Sequence, residues 1–327
     1  IIRSLVRHLA FETLPDYSNY TVPTKSAMTI YSVVCMVMND NNHLAQTHIS
    51  TKIALQEKGM RSLSGLYLKR QKAKDPIVKA SMKAEAARAL WNLAKNNTKT
   101  CKSITESKAL VCFAMLLEKS KGEVQYNSAM AVMEIAAVAE RNADFRRSAF
   151  KTNSPTAKVL VDQIVRIVQE EDSESQLLSS CIRSIGCLAR TFHARETTII
   201  PPLVKHLDHR ELSVSREAAI ALSKFACSEN YLHMEHSRAI IESSSAPYLV
   251  QLVYFGELAQ IPALILLCHL ALHVADSEAF SKAEALPALD WASKQVTFIH
   301  GPVLENLLPE AKTRLQVYQS RGYHGFH

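Results

Sequence analysis

Glycine is scarce in this chain, with 8 in 327 residues, well under the ~7% of average usage. Tight hairpins and Gly-rich phosphate cradles therefore have little material to form from. The patterns G-x-S-x-G, G-x-x-x-x-G-K, G-x-G-x-x-G and H-E-x-x-H are all absent, which removes the usual nucleophile elbow, the nucleotide loops and the zinc-protease helix. Adjacent carboxylates such as Glu170-Glu171 fall in an acidic turn, where no pocket would raise a pKa for general acid work. No enzymatic activity, cofactor or metal is expected. Long apolar runs are missing too. The longest, Ile261 to Leu272, falls short of the ~20 residues needed to span a bilayer and reads as a helix buried on all sides. Charge of one sign does not dominate, since 38 basic and 31 acidic residues are interspersed for a net +7. That balance favours acidic partners or an anionic surface weakly, and no nucleic-acid motif accompanies it. The seven cysteines sit singly in apolar patterns, as buried thiols of a reducing compartment do. The first residue is Ile1 in mid-pattern, so the sequence is expected to be a fragment of a longer protein.

What is present is a repeat. Ile199 to Cys227, IIPPLVKHLDHRELSVSREAAIALSKFAC, holds one complete unit. Pro201 and Pro202 open a helix where a missing N–H is harmless, and Leu203, Val204 and Leu207 share a face. After a turn at Asp208-His209-Arg210, the residues Val214, Ala218, Ala219, Leu222, Phe225 and Ala226 recur at helical spacing. Two such helices cannot bury their apolar faces alone and need copies on either side.

Those copies are legible from Ser81 onward. Long helices are predicted from Ser81, Val124, Gln176, Ser213 and Ile261, each with small apolar residues followed by a Leu or Ile. Their equivalent positions Asn92, Glu134, Cys187, Lys224 and His269 lie 42, 53, 37 and 45 residues apart, a spread about ~40 that fits a solenoid with loop insertions. Shorter helices lie between them. Upstream, residues 1–13 and 25–38 read as helices, 39–60 as an insertion and 69–79 as a basic solvated loop. The domain division is accordingly 1–80 for degenerate repeat portions, 81–275 for the repeats and 276–327 for a helical cap and tail. Within the cap region SRGYHGFH, residues 320–327, carries no helical pattern and is expected to be a mobile tail.

The helix signature resembles armadillo repeats, and AARALWNLA at 86–94 carries it most fully. The implied fold is all-α: a right-handed armadillo-repeat superhelix, or α-solenoid, of five to six repeats with a helical C-terminal cap. FHARETTIIPPLVKHLD, EAAIALSKFACSEN, AIIESSSAPYLVQLVYFGE and LPEAKTRLQVYQSRGYHGFH resemble the C-terminal half of the plant armadillo-repeat-only proteins. That resemblance covers most of 180–327. It implies a non-catalytic scaffold in polarised tip growth, tied to Rho-of-plants GTPase signalling and actin organisation. The implied partners are Rho-of-plants GTPase regulators and actin-associated factors, and the implied location is cytoplasmic, extending to the plasma membrane of growing tips through peripheral association, or nuclear. The other readings are a nuclear transport or transcription-associated adaptor, and the substrate-recruiting part of a ubiquitin ligase.

Two departures from the general repeat bear on function. The Gly that turns the first helix into the second is replaced, by Lys108 in ESKAL and by Ser245 in SSSAP. The Trp–Asn ladder that armadillo import adaptors use is also missing: Asn92, Glu134, Cys187, Lys224 and His269 stand at the Asn position, and Arg88, Met130, Arg183, Ile220 and Ile265 one turn earlier. Binding of basic import signals is therefore rejected as the main reading. If the third helices line one groove, then Arg88, Asn92, Lys95, Glu134, Arg183, Cys187, Arg190, Lys224 and His269 are its candidate residues. Its basic lean suits an acidic or phosphorylated segment, bound by a monomeric protein. His269 and His273, at i, i+4 beside Cys268, lack a third convergent ligand and read as a polar rim. His233-Met-Glu-His236 reads as a loop, and Trp91 and Trp291 as core. Asn19-Tyr-Thr and Asn96-Asn-Thr match glycosylation acceptors only by chance.

Overall fold

The computed structural model describes residues 76–151, 154–170, 174–193, 197–295 and 303–323. The expectations for residues 1–68, including the two upstream helices and the 39–60 insertion, lie outside them. The described residues divide into two compact units. One holds residues up to Ala149 together with Ser154–Gln163, and the other holds Phe150–Asn153 and everything from Ile164 onward.

The first unit opens on α1 (Pro76–Ala94). Its start precedes Ser81, so residues 76–79, expected in the basic loop, form its first turn instead. A proline at the head of a helix has no N–H to lose. Ala84, Ala86, Ala87, Ala89, Leu90 and Ala94 are buried. Alanine combines the best helix propensity with the shortest side chain, so a neighbouring helix can approach closely along this stripe. The neighbour is α4 (Glu123–Arg141), fixed in register by the buried Asn127, whose Nδ2 donates to the Ala84 carbonyl at 3.1 Å. Between them run α2 (Thr98–Glu106) and α3 (Ala109–Lys119). Asn97 caps α2, its side chain accepting from Thr100 N at 3.0 Å. Lys108 sits in the left-handed region, φ 62°, and turns α2 into α3. The order short, middle, long is one complete three-helix repeat. A second begins with α5 (Ala143–Ala149), capped by Asn142, which accepts from Phe145 N at 2.9 Å, and α6 (Pro155–Gln169), whose residues from Ile164 on belong to the second unit.

The second unit is organised around its long helices α7 (Ser175–Cys187), α9 (Leu212–Ala226), α12 (Gln260–His273) and α15 (Leu304–Tyr323), each packed on the next. Ahead of α9 the prolines open α8 (Ile200–Lys205), flanked by 3-10 turns at Thr197–Ile199 and His206–Asp208. The buried His206 ties that turn back, its Nε2 donating to the Val168 carbonyl at 2.7 Å. Helices α10 (His233–Glu242) and α11 (Ser245–Phe255) precede α12, and α13 (Glu278–Lys282) and α14 (Ala285–Ala292) precede α15. The cap thus repeats the three-helix order of the units before it. Helix α12 is apolar on nearly every side because α9, α11 and α15 surround it, leaving Leu264, Leu266, Leu267, Cys268 and Leu270 at 0% exposure. No single described helix is long and apolar enough to cross a membrane.

Three details differ from expectation. His233-Met-Glu-His236 is not a loop but the first turn of α10, because His236 is drawn fully inside, edge-on to the Phe225 ring at 5.0 Å. The left-handed residue before α11 is Ser244, φ 63°, and Ser245 begins the helix; Glu284, φ 56°, is its counterpart before α14. The tail pattern at 320–327 is helical as far as Tyr323, since α15 is already nucleated and anchored by Leu308, Ala311 and Leu315, and each added residue then costs little.

Candidate functional site

Seven of the nine candidate residues fall on the long helices, while Lys95 lies just past the end of α1 and Arg190 in the 3-10 turn Ala189–Thr191 after α7; each unit is taken by itself. In the first, Arg88 forms an i, i+3 ion pair with Glu85 at 2.6 Å. Lys95 donates to Asn92 Oδ1 at 3.0 Å and lies 4.6 Å above the Trp91 ring, a cation–π contact. Trp91, expected in the core, is half-buried and meets Tyr126 edge-on at 6.2 Å. Glu134 lies close enough to Cys101 to add to the burial that pushes this thiol up to about 12, while Arg141 opposes it.

In the second unit α7 and α9 touch at Gly186. A Cβ built there would stand 2.8 Å from Ala221 Cα and 2.9 Å from its Cβ, so the close approach requires glycine. This brings Lys224 across the interface, its Nζ 3.6 Å from Cys187 Sγ. Cys187 itself is only 3% exposed. It is therefore a wall of the interface and not a groove-facing contact as the spacing suggested, because α7 ends at this residue and the adjoining helix covers it.

Carboxylates missing from the sequence reading complete the arrangement. Glu217, with its side chain 12% exposed, accepts from Arg216 at 2.7 Å and lies 3.9 Å from Arg183 across the repeat. Glu229 lies 3.9 Å from Arg190. Arg183 and Arg216 thus share Glu217, and Arg190 faces Glu229. Such partly exposed pairs contribute about 0–1 kcal/mol each, so an incoming anion can exchange with them at little cost. The one signal of Glu217 in the sequence is its place on the predicted helix; pairing across helices depends on a register that spacing within one helix does not carry.

His269 and His273 are both half-buried. His269 stacks on His273 at 6.3 Å, and His273 meets His233 at 4.5 Å. Burial holds the pKa of His269 below the usual value, with Glu229 pulling it back up. For His273, burial and then the neighbouring imidazoles lower the pKa to about 4. Among the described residues no three His, Cys, Asp or Glu side chains converge to hold a metal ion. Cys112 is pushed up to about 11 and Cys181 to about 12, both by burial, and Cys268 higher still. These thiols stay protonated at neutral pH and are not activated nucleophiles.

No family model matches this chain, and neither does any curated protein sequence. Solved structures do match. A designed armadillo repeat protein is 20% identical over 74% of this chain and 95% of its own, with a TM-score of 0.58. A second, solved in complex with the peptide (KR)4, is 19% identical over 74% of this chain and 95% of its own, with a TM-score of 0.55. An engineered protein is 19% identical over 75% of this chain and 93% of its own, with a TM-score of 0.59. At this level of identity the likeness establishes the fold: an all-α armadillo-repeat solenoid.

Proposed function

We propose that this protein is a non-catalytic scaffold whose long-helix face binds an acidic or phosphorylated segment of a partner protein. The observation that carries the reading is Arg183, which keeps 56% of its side chain exposed while its nearest carboxylate, shared with Arg216, is 3.9 Å away. A phosphate or carboxylate that reaches Arg183 gains a charge-assisted, bidentate partner at the expense of a weak contact. A designed relative in fold holds a peptide of alternating lysine and arginine. This chain places Arg88, Arg183 and Lys224 on its long helices, charges that repel such a peptide and favour the opposite one.

The resemblance of residues 180–327 to the plant armadillo-repeat-only proteins supports a finer reading, a role in tip growth with partners among Rho-of-plants GTPase regulators and actin-associated factors. The test is a charge reversal, Arg183→Glu with Lys224→Glu, measured against an acidic phosphopeptide library and against those candidate partners, with helicity monitored by circular dichroism. Binding is expected to fall at least tenfold with helicity kept. Unchanged binding by a folded double variant refutes the acidic-segment reading. Tight binding of a basic import-signal peptide to the wild type establishes an adaptor of the nuclear-transport kind in its place.

A further inference from the structure

Every histidine among the described residues lies between His193 and His273, in the second unit. Three of them meet where α9, α10 and α12 join. His273 on α12 has its ring centre 4.5 Å from that of His233 on α10 and 6.3 Å from that of His269, the latter pair nearly parallel at 9°. Nε2 of His273 is buried with no hydrogen-bond partner. The connection from α9 to α10 passes through this junction and is fastened by Asn230, which is 0% exposed. Its Nδ2 donates to the carbonyls of Lys224 and Ala189 at 3.4 Å, and its Oδ1 accepts from Leu232 N at 3.1 Å. His233 Nδ1 donates to the Asn230 carbonyl at 2.8 Å.

The charges facing this junction are few and unbalanced. From α9 comes Lys224, and from the turn after α7 comes Arg190. The connecting loop supplies Glu229 and the thiol Cys227, which share a hydrogen bond. Helix α10 supplies His233, Glu235 and the buried His236, and α12 supplies His269 and His273. Glu229 faces His269 and is already engaged by Cys227 and Arg190, while Glu235 acts on His236. No carboxylate acts on His273; only the Ala226 carbonyl favours its charged form. A proton added there meets two imidazoles in a half-buried site.

We propose that this histidine junction is a proton-operated joint: acid protonates His273 and His269, and the loop from Cys227 to Leu232 is released from α9 and α12 while the first unit is untouched. The direction follows from linkage. The closed form holds His273 at about 4 against an ordinary 6.5, so the open form takes up protons first. The closed state is therefore fully favoured above about pH 6.5 and loses ground as pH falls toward 4, with no further loss below that. Between pH 7.5 and 5.0 the opening equilibrium rises by up to about 30-fold from His273 alone, or about tenfold once solvent screening of a partly buried ring is allowed for.

Amide hydrogen exchange, corrected for the intrinsic pH dependence of exchange, reads this directly on the full chain. Protection in peptides covering 224–236 and 268–276 is expected to fall about tenfold at pH 5.0, with peptides from α3 and α4, in a unit without described histidines, as the internal reference. His273→Gln removes the titrating group and keeps a polar side chain of similar reach; it is expected to flatten the pH response to under threefold. His269→Gln, which leaves His273 in place, reports if the first variant does not fold, and is expected to reduce the response without abolishing it. The proposal is overturned if protection in α3 and α4 falls in parallel with the junction, if the junction does not respond to pH, or if either variant retains the full response.

Discussion

Gly186→Ala sets two physical terms against each other, and the structure fixes which wins. In an exposed helix this change is favourable by about 1 kcal/mol, because alanine has the better helix propensity. Here the new methyl would lie 2.8 Å from Ala221 Cα and 2.9 Å from Ala221 Cβ, where carbon atoms rest at about 3.5–4.0 Å. One of the two contacts is to backbone, so no rotamer relieves it, and α7 and α9 must separate by roughly 0.7–1 Å along a packed face. Overpacking of this kind costs about 1–3 kcal/mol. Parting the helices also loosens contacts around Leu222 and Phe225, both 0% exposed, so the net effect is a destabilisation of about 1–2 kcal/mol. For a unit of this size that lowers Tm by about 2–8 °C. Thermal and urea melts of the purified variant measure it. Ala221→Gly in the same background, which removes the second of the two short contacts, is expected to recover part of the loss. A Gly186→Ala variant more stable than wild type by about 1 kcal/mol refutes the close approach of α7 and α9, and with it the placement of Lys224 against Cys187.

Lys108, Ser244 and Glu284 occupy the left-handed region at equivalent turns, which costs a residue with a Cβ about 1–2 kcal/mol. Glycine at each recovers that less its own chain entropy of about 0.5–1 kcal/mol, so each replacement is expected to stabilise by about 0.5–1 kcal/mol in urea titration, and equal or lower stability at all three contradicts the turn geometry. Asn230→Ala leaves the Ala189 and Lys224 carbonyls without this buried donor and is expected to cost about 2–3 kcal/mol; Asn230→Asp, which removes the donor and buries a charge, should cost more, and the reverse order in chemical melts counts against the hydrogen bonds drawn around this side chain.

The long helices are legible in the sequence because their buried faces are written in one local code: small residues and leucines at helical spacing, as in AARALWNLA, where Ala86, Ala87, Ala89 and Leu90 are all buried. The turn at Lys108 is legible for a similar reason, since ESKAL places only Ser107 and Lys108 between two helix patterns. SSSAP offers three serines, and local chemistry does not choose which takes positive φ; the start of α11 does, and it selects Ser244. The first turn of α10 escapes a sequence reading because His233-Met-Glu-His236 has no apolar periodicity. Its burial comes from Phe225 on the preceding long helix, which is tertiary information. Glu217 and Glu229 belong to the same class, being meaningful only once α7 and α9 lie in register.

The same register explains why a basic-leaning face need not be a bare one. A strip of unopposed cations along successive long helices would repel itself, at a cost that grows as the helices approach. The close packing at Gly186 demands such an approach, and Glu217 and Glu229 offset the charge by reaching back to Arg183 and Arg190 at 3.9 Å. At that separation the pairs relieve repulsion without forming tight hydrogen bonds, so Arg183 keeps its donors for an external anion. Weak internal pairing is thus compatible with close stacking, and under the proposed function it is what leaves the site open to exchange.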